Sequence, residues 1–362
     1  MAREFFLPRE AIVRFGETGA AARRVAGLAA AARIVRELAE AGIARAWLLL
    51  PEGDALDAAA RDDLRRLAGK MDVRLAEGAL PAEAPQESEA LILDGNRLFA
   101  AQALRQGDFG PASPAISLDE AGASARILRQ AGKTSDGPVS RYLNRPVSRS
   151  ITAVLLHLPG IRPIHATVGT GLLAISMIIA LLSGGTAGLI AGGLLFHAAS
   201  IFDGVDGEIA RATFRSTKAG AMLDSMVDIA TNLLFVLGVT VNLAVAGDRL
   251  APMLTAWGFA LFLLGLAAVA WRASRSGSAF GFDVIKNHYR RRFPTRFTGL
   301  VIRFFIIVTS RDFFALLFPL LILAGLPMGV LYLFATAATI WILFVLGAIR
   351  MPAETALAPK QA

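Results

Sequence analysis

The chain has 362 residues, 55% of them hydrophobic and only 18% charged, against about 25% charged in an ordinary soluble domain. It carries a net charge of +8 and no cysteine, which excludes disulfide and thiol chemistry. The four histidines (His157, His165, His197 and His288) are scattered without the ligand spacing of a zinc site. Placement of the charge argues against nucleic acid as a partner. The basic residues cluster beside apolar segments, at 141–149 and 272–303, which suits anionic lipid headgroups, phosphorylated substrates and membrane orientation.

Residues 1–132 read as a small α/β domain. The opening "MAREFFLPRE" is too charged and too short in apolar residues for a signal peptide, so this domain is expected in the cytoplasm. "AAARRVAGLAAAARIVRELAEAGIA" (20–44) has apolar residues at helical spacing, and "ARAWLLLP" (44–51) follows as a buried strand. "ALPAEAPQESEA" (79–90) is a loop. "EALILDGNRLFAAQAL" (89–104) reads as strand, turn, then strand or helix, with Asp94-Gly95-Asn96 as a hairpin turn; a metal-ligand role for Asp94 is the lesser reading. "KTSDGP" (133–138) is a linker by its turn-forming residues. Within residues 133–162, "VSRYLNRPVSRSITAVLLHLPG" (139–160) sets Arg141, Arg145 and Arg149 four apart, with Leu143, Val147, Ile151, Val154 and Leu158 toward the other side. Such a basic amphipathic helix fits a membrane surface, with Pro146 as an irregularity; an ordinary solvated helix is the alternative.

A membrane-crossing helix needs about 20 apolar residues. From Pro163 to Phe202 there is no Lys, Arg, Asp or Glu, room for two spans broken at "SGGTAG" (183–188). A third runs from Lys218 toward Gly247, a fourth from Leu250 to Trp271, and Phe313 to Ile349 holds two more, broken at "GLPMG" (325–329). The start of the fifth, "FTGLVIRFFIIVTSRDFF" (297–314), reads either as an interfacial helix or as part of a long span. Residues 163–350 are thus expected to form six transmembrane helices, with a cytoplasmic tail at 351–362. The turns that would face outward contain one basic residue, Arg249, whereas the opposite connections carry those from Arg211 to Lys218 and from Arg272 to Arg303. That asymmetry expects both termini in the cytoplasm of an inner-membrane protein.

"FDGVDGEIARATFRSTKAGAMLDSMVD" (202–228) is the acidic exception. Asp203 and Asp206, three apart, end the second span, and Asp224 and Asp228, four apart, begin the third; each pair shares one helix face. Carboxylates near a bilayer are costly unless compensated. Two antiparallel helices joined by a short segment can bring the pairs together, and the converging charges then require cations. Mg²⁺, with Mn²⁺ as the second choice, takes oxygen ligands and shares them with substrate phosphates, and two such ions can stabilise both partners of a displacement at phosphorus. Gly207 and Gly220 leave room for close approach, Ala210 is small, and Arg211 can bind phosphate oxygens in a bidentate way. An ion or proton transporter is the alternative of another class, but it predicts acids near mid-membrane on several spans.

The arrangement Asp203-x-x-Asp206-Gly207-x-x-Ala210-Arg211, eight residues, Gly220-x-x-x-Asp224-x-x-x-Asp228 resembles the signature of the CDP-alcohol phosphotransferases, with all eight defining positions at the family spacing. The resemblance implies a six-helix membrane enzyme that uses divalent metal to move a phosphoalcohol from a CDP-alcohol to an acceptor hydroxyl, releasing CMP. Carried over position by position, Asp203, Asp206 and Asp224 would be metal ligands, Asp228 the general base with a share in metal binding, and Gly207, Ala210, Arg211 and Gly220 the CDP site. The family also implies a homodimer.

From Thr134 to Arg350 the likeness extends to bifunctional enzymes joining an inositol-phosphate cytidylyltransferase to a di-myo-inositol-phosphate-phosphate synthase. "DGPVSRYLNRPVSRSIT" (136–152) is similar to their stretch before the first span, while "RPIHATVGT" (162–170) keeps Pro163 and Thr167 but has Ile164 where many relatives carry Asn. The amino-terminal domain is similar to a sugar-nucleotide transferase domain, yet "RFGETGAAARR" (14–24) is a poor version of the glycine-rich basic loop that binds a triphosphate. It is read as a shortened, inactive relative kept for binding, regulation or assembly. Arg141, Arg145 and Arg149 would suit a phosphorylated acceptor or anionic lipid. The leading donor is CDP-diacylglycerol, as in phospholipid biosynthesis, and a soluble CDP-inositol is the second.

Overall fold

The computed structural model describes residues 7–110, 113–132, 137–158, 160–276 and 311–349. The chain divides into two compact units, one of Met1–Lys133, Arg149–Pro163 and Gly207–Ser216, the other of Thr134–Ser148, Ile164–Asp206 and Thr217–Ala362.

The first unit is built on a parallel four-stranded sheet in the order β5-β4-β1-β6, from β1 (Glu10–Arg14), β4 (Arg45–Leu50), β5 (Asp72–Glu77) and β6 (Leu91–Asp94). Ile12 stands opposite Trp47 on one side and Ile92 on the other. Helix α1 (Ala30–Ala41) connects β1 to β4 and packs on α2 (Ala58–Ala68), which connects β4 to β5. The helix expected over 20–44 forms only in its second half. Residues Arg24–Val25 (β2) and Leu28–Ala29 (β3) pair antiparallel across Ala26 and Gly27, both at positive φ. A left-handed pair cannot continue an α-helix, and it outweighs the favourable alanine propensity around it. The turn at 94–96 forms, with the Asn96 amide donating to Asp94 Oδ1 at 2.9 Å, but it is not a hairpin. β6 pairs with β1, whereas β7 (Arg97–Leu98) pairs with β8 (Ile116–Ser117). Helices α3 (Ala101–Gln106) and α4 (Ala123–Gln130) complete the domain.

A five-residue π-helical turn, Ser140–Asn144, leads into α5 (Arg145–Leu155). The irregularity expected at Pro146 thus lies just before it, where the missing proline N–H removes a helical bond and the Arg145 amide reaches back to the Ser140 carbonyl. Polarity in this segment is inverted relative to a solvated helix. Ser140, Asn144, Arg145 and Ser148 are buried, while Tyr142, Leu143, Val147 and Val154 are exposed. Arg145 therefore does not share an outward basic face with the exposed Arg141, because its guanidinium donates to the Gly204 carbonyl at 3.2 Å.

The second unit is helical. Five helices are long and apolar enough to cross a membrane: α6 (Pro163–Leu182), α7 (Gly185–Ala212), α8 (Lys218–Val245), α9 (Leu250–Ser276, apolar to Arg272) and α11 (Pro327–Ile349, apolar to Gly347). The protein is therefore membrane-integral. The remaining apolar helix, α10 (Arg311–Leu323), is shorter. The sequence expected to extend it at 297–310, most of the basic segment 272–303 and the tail lie outside the described residues. Phe196, Phe235 and Phe318, from α7, α8 and α10, stack with ring centroids 4.0 to 6.5 Å apart. Buried Asn242 of α8 donates to the Leu181 carbonyl at 2.8 Å, satisfying an orphan group at the end of α6. Between lipid-facing helices such packing contacts, rather than exclusion of water, hold the bundle. Phe235→Ala is expected to lower the unfolding free energy in detergent by about 3 kcal/mol, and Phe235→Leu by less, as read from denaturant titrations of the purified protein.

Candidate metal centre

Helices α7 and α8 are joined by a short connection, and each carries two aspartates within about three turns of it. The connection is defined at both ends. At the α7 end the Arg215 amide bonds to the Ala210 carbonyl (2.7 Å) and the Phe214 amide to the Arg211 carbonyl (3.3 Å), with Phe214 left-handed at φ 53°. This is a Schellman motif with phenylalanine where glycine is favoured, at a cost of about 1 kcal/mol. At the α8 end the Thr217 hydroxyl accepts from the Gly220 amide at 3.0 Å, an N-cap.

Carboxylate oxygens of Asp203, Asp224 and Asp228 all lie within 4.8 Å of one another, and the Asp224 carboxyl also meets that of Asp206. All four aspartates singled out in the sequence therefore come together. At an effective dielectric constant near 20, two such charges about 4 Å apart repel by roughly 4 kcal/mol, so a cation among them is favoured. Half-buried oxygens from two rigid helices match what a hard divalent cation binds. Asp203, Asp224 and Asp228 fit such an ion together, with Asp206 beside them.

Two further contacts fix the cluster, and the motif does not contain them. The Thr167 hydroxyl of α6 donates to Asp206 Oδ2 at 2.8 Å, both side chains being buried. Gly204 admits Arg145: a Cβ there would lie 2.7 Å from its guanidinium and 3.3 Å from Ser148 Oγ. Gly169 similarly admits the Phe202 ring, 2.6 Å from where a Cβ would stand. These are close-approach glycines in a membrane bundle, and only knowledge of the facing helix distinguishes them from the many others.

The other expected site residues fall as follows. Gly207 lies beneath the Arg211 guanidinium, with 2.9 Å between that group and a Cβ at Gly207. Arg211 Nε donates to the Ala131 carbonyl. Ala210 is partly buried, and Gly220 is exposed in the first turn of α8. Arg141 is exposed and Arg149 half-buried, with its Nε unpartnered. Glu208 was not anticipated; it is fully buried in the first unit and accepts from the Thr152 hydroxyl at 2.7 Å.

Comparison with known proteins gives the family of the helical part. The family model for CDP-alcohol phosphatidyltransferase matches residues 161–349, which include the four aspartates and Thr167. A "Bifunctional IPC transferase and DIPP synthase" from Rubrobacter xylanophilus is 37% identical over 182 residues, 48% of this chain and 35% of that protein. Proteins of the same name from Thermococcus kodakarensis (36% over 164 residues, 44% and 34%) and Aquifex aeolicus (37% over 149 residues, 41% and 32%) are also similar. The chain thus spans about a third of the length of the curated relatives it matches. With the family match covering just over half of its length, this chain is a membrane transferase that belongs to the CDP-alcohol phosphatidyltransferase family.

Proposed function

We propose that the protein transfers a phosphoalcohol from a CDP-alcohol to an acceptor hydroxyl with release of CMP, and that Asp203, Asp206, Asp224 and Asp228 form its active centre. The observation that carries this reading is the convergence of three carboxylates within 4.8 Å on two helices. Asp203, Asp206 and Asp224, with a share from Asp228, would hold divalent metal, Mg²⁺ by preference, in two ions. Bound metal would neutralise the diphosphate and the departing CMP. Asp228 would take the proton from the acceptor hydroxyl, and the hydroxyl oxygen forms the new bond to phosphorus as the bond from phosphorus to the CMP oxygen breaks. Gly207, Ala210, Arg211 and Gly220 would line the CDP site. Arg141 is better placed than Arg145 to meet a phosphorylated acceptor or lipid, because Arg145 is engaged with Gly204.

A lipid donor, CDP-diacylglycerol, is favoured by the apolar surface beside the aspartates. Met222, Leu223, Met226 and Ile229 of α8 flank Asp224 and Asp228 and are exposed. A soluble CDP-inositol donor is the second reading, supported by the relatives' name. α10, together with the residues before it, would supply a sixth span. Both termini and the aspartates would then face the cytoplasm, and a homodimer is the expected assembly. The transporter alternative is disfavoured by the acids' confinement to two helices. The amino-terminal domain is proposed to be an inactive nucleotidyltransferase relative. Its loop amide at Gly19 already donates to Asp54 Oδ2 at 2.9 Å, so a carboxylate competes where a triphosphate would bind.

CMP release by the purified protein, offered CDP-diacylglycerol or CDP-inositol with a panel of acceptors, tests the reaction and identifies the donor. A chelator is expected to abolish release and added Mg²⁺ to restore it. Asp228→Asn should lower kcat by about 100-fold or more without unfolding the protein; a folded variant at wild-type rate would remove Asp228 from the base role. Thr167→Val should raise the Mg²⁺ concentration for half-maximal rate about tenfold, as loss of a group that orients a metal ligand does, with kcat at saturating Mg²⁺ much less affected.

A further inference from the structure

We infer that Arg33, Arg66 and Asp63 of the amino-terminal domain are positioning residues for the metal centre, acting by holding the connection between α7 and α8. This inference rests on the metal-binding role proposed for the four aspartates. All the contacts involved lie within the first unit, which includes Gly207–Ser216.

Arg33 is out of place by composition. It sits on the inner face of α1 among Ala30, Ala31, Ile34 and Leu38 and is only 2% exposed. Burial pulls its guanidinium pKa down to about 9, so it remains a cation at neutral pH. A buried charge persists only where hydrogen bonds replace water. Arg33 donates to the carbonyls of Val25 and Ala26, both at 2.7 Å, and to that of Ala212 at 2.9 Å. Ala212 is the last residue of α7, where carbonyls are orphaned and the helix dipole favours a cation.

The next two carbonyls are met in the same way. Arg66 of α2 donates to Thr213 and Phe214 oxygens, each at 3.0 Å. Asp63 Oδ1 fixes Arg66 at 2.9 Å and accepts from Arg215 at 3.1 Å. The Arg36 guanidinium lies over the Phe214 ring, 5.3 Å from its centroid. Gly27 lets the β2–β3 turn press close, since a Cβ there would stand 3.3 Å from the Thr213 methyl. Carbonyls 210 and 211 are taken by the Schellman bonds and 212 to 214 by the arginines. Every carbonyl from 210 to 214 is thereby satisfied, and the strained Phe214 is held from its ring and its oxygen.

What is held this firmly is the link between the two aspartate pairs. Residue 212 lies six positions after Asp206, and α8 begins six before Asp224. One residue of slippage turns a helix by about 100°, enough to carry a carboxylate out of the cluster. Fixing the link fixes the relative rotation of α7 and α8, on which the 4.8 Å grouping depends.

The test is direct Mn²⁺ binding to the purified full chain in detergent, followed by electron paramagnetic resonance, for the wild type, Arg33→Met, Arg33→Lys and Arg66→Ala. Arg74→Gln, on an exposed strand away from the link, is the control. Arg33→Met and Arg66→Ala are expected to weaken binding about tenfold with helix content and monodispersity retained. Arg33→Lys keeps the charge but cannot reach three carbonyls, so it should fall between. Arg66 is a third exposed, and Arg66→Ala carries the test alone if Arg33→Met does not fold. Folded variants that bind Mn²⁺ within about twofold of wild type, well short of the effect of a lost orienting group, would overturn the inference, whatever their activity. A folded wild type that binds no Mn²⁺ would overturn the metal centre itself, and the inference with it.

Discussion

Like charges resist being packed together, and the α7–α8 pair packs four of them at adjoining helix ends. The Phe196–Phe235–Phe318 stack and the Asn242 bond to α6 secure these helices farther along. Near the aspartates the contacts become polar: Thr167 on Asp206 and Arg145 on the Gly204 carbonyl. Repulsion at such a site is tolerated when rigid elements hold the groups and a cation relieves them. The same repulsion makes the site selective in charge, since it favours a cation among the carboxylates over an anion.

The segment before α6 shows how the surroundings of the site are adapted to lipid. In water a helix turns its polar side outward, but here Ser140, Asn144, Arg145 and Ser148 are buried while Tyr142, Leu143 and Val147 are exposed. The apolar side is suited to hydrocarbon and the polar side to backbone carbonyls and hydroxyls. Arg145 illustrates the gain. A guanidinium that would be merely solvated on a soluble helix reaches the Gly204 carbonyl next to Asp203, and glycine at 204 is what admits it.

The aspartates were legible in the sequence because their chemistry depends on spacing along two helices, and spacing is written directly in the chain. Five spans were legible for a related reason, as long apolar runs broken by glycine turns. Gly204 and Glu208 were not, because each acts through a partner 56 to 59 residues away; Thr167 stood out only as a position shared with relatives, and its bond to Asp206, 39 residues on, had to come from the fold. The helix expected over 20–44 failed at Ala26 and Gly27, where tertiary packing selects a left-handed turn that alanine-rich composition conceals. Asp94-Gly95-Asn96 gave a correct turn but a wrong pairing, since a local signal cannot say which strand receives β7. Arg33 was the least legible. At its position in α1 an arginine is ordinary, and only the fold reveals that it faces inward.

In the amino-terminal domain the fold does not by itself carry an activity. Its parallel sheet and the helices α1 and α2 are intact, although the loop after β1 offers its Gly19 amide to Asp54 and Arg14 is paired with Glu87. The exposed tip of that loop, at 16–19, can change without loss of the fold, whereas Phe15, Ala20 and Ala21 are part of the core. The inner face of α1 has no such freedom. Arg33 divides its bonds there between the β2–β3 turn and the Ala212 carbonyl, and Arg66 takes the next two, so the domain and the link between the aspartate helices constrain each other. That mutual constraint ties the domain to the link whether or not it performs any chemistry of its own.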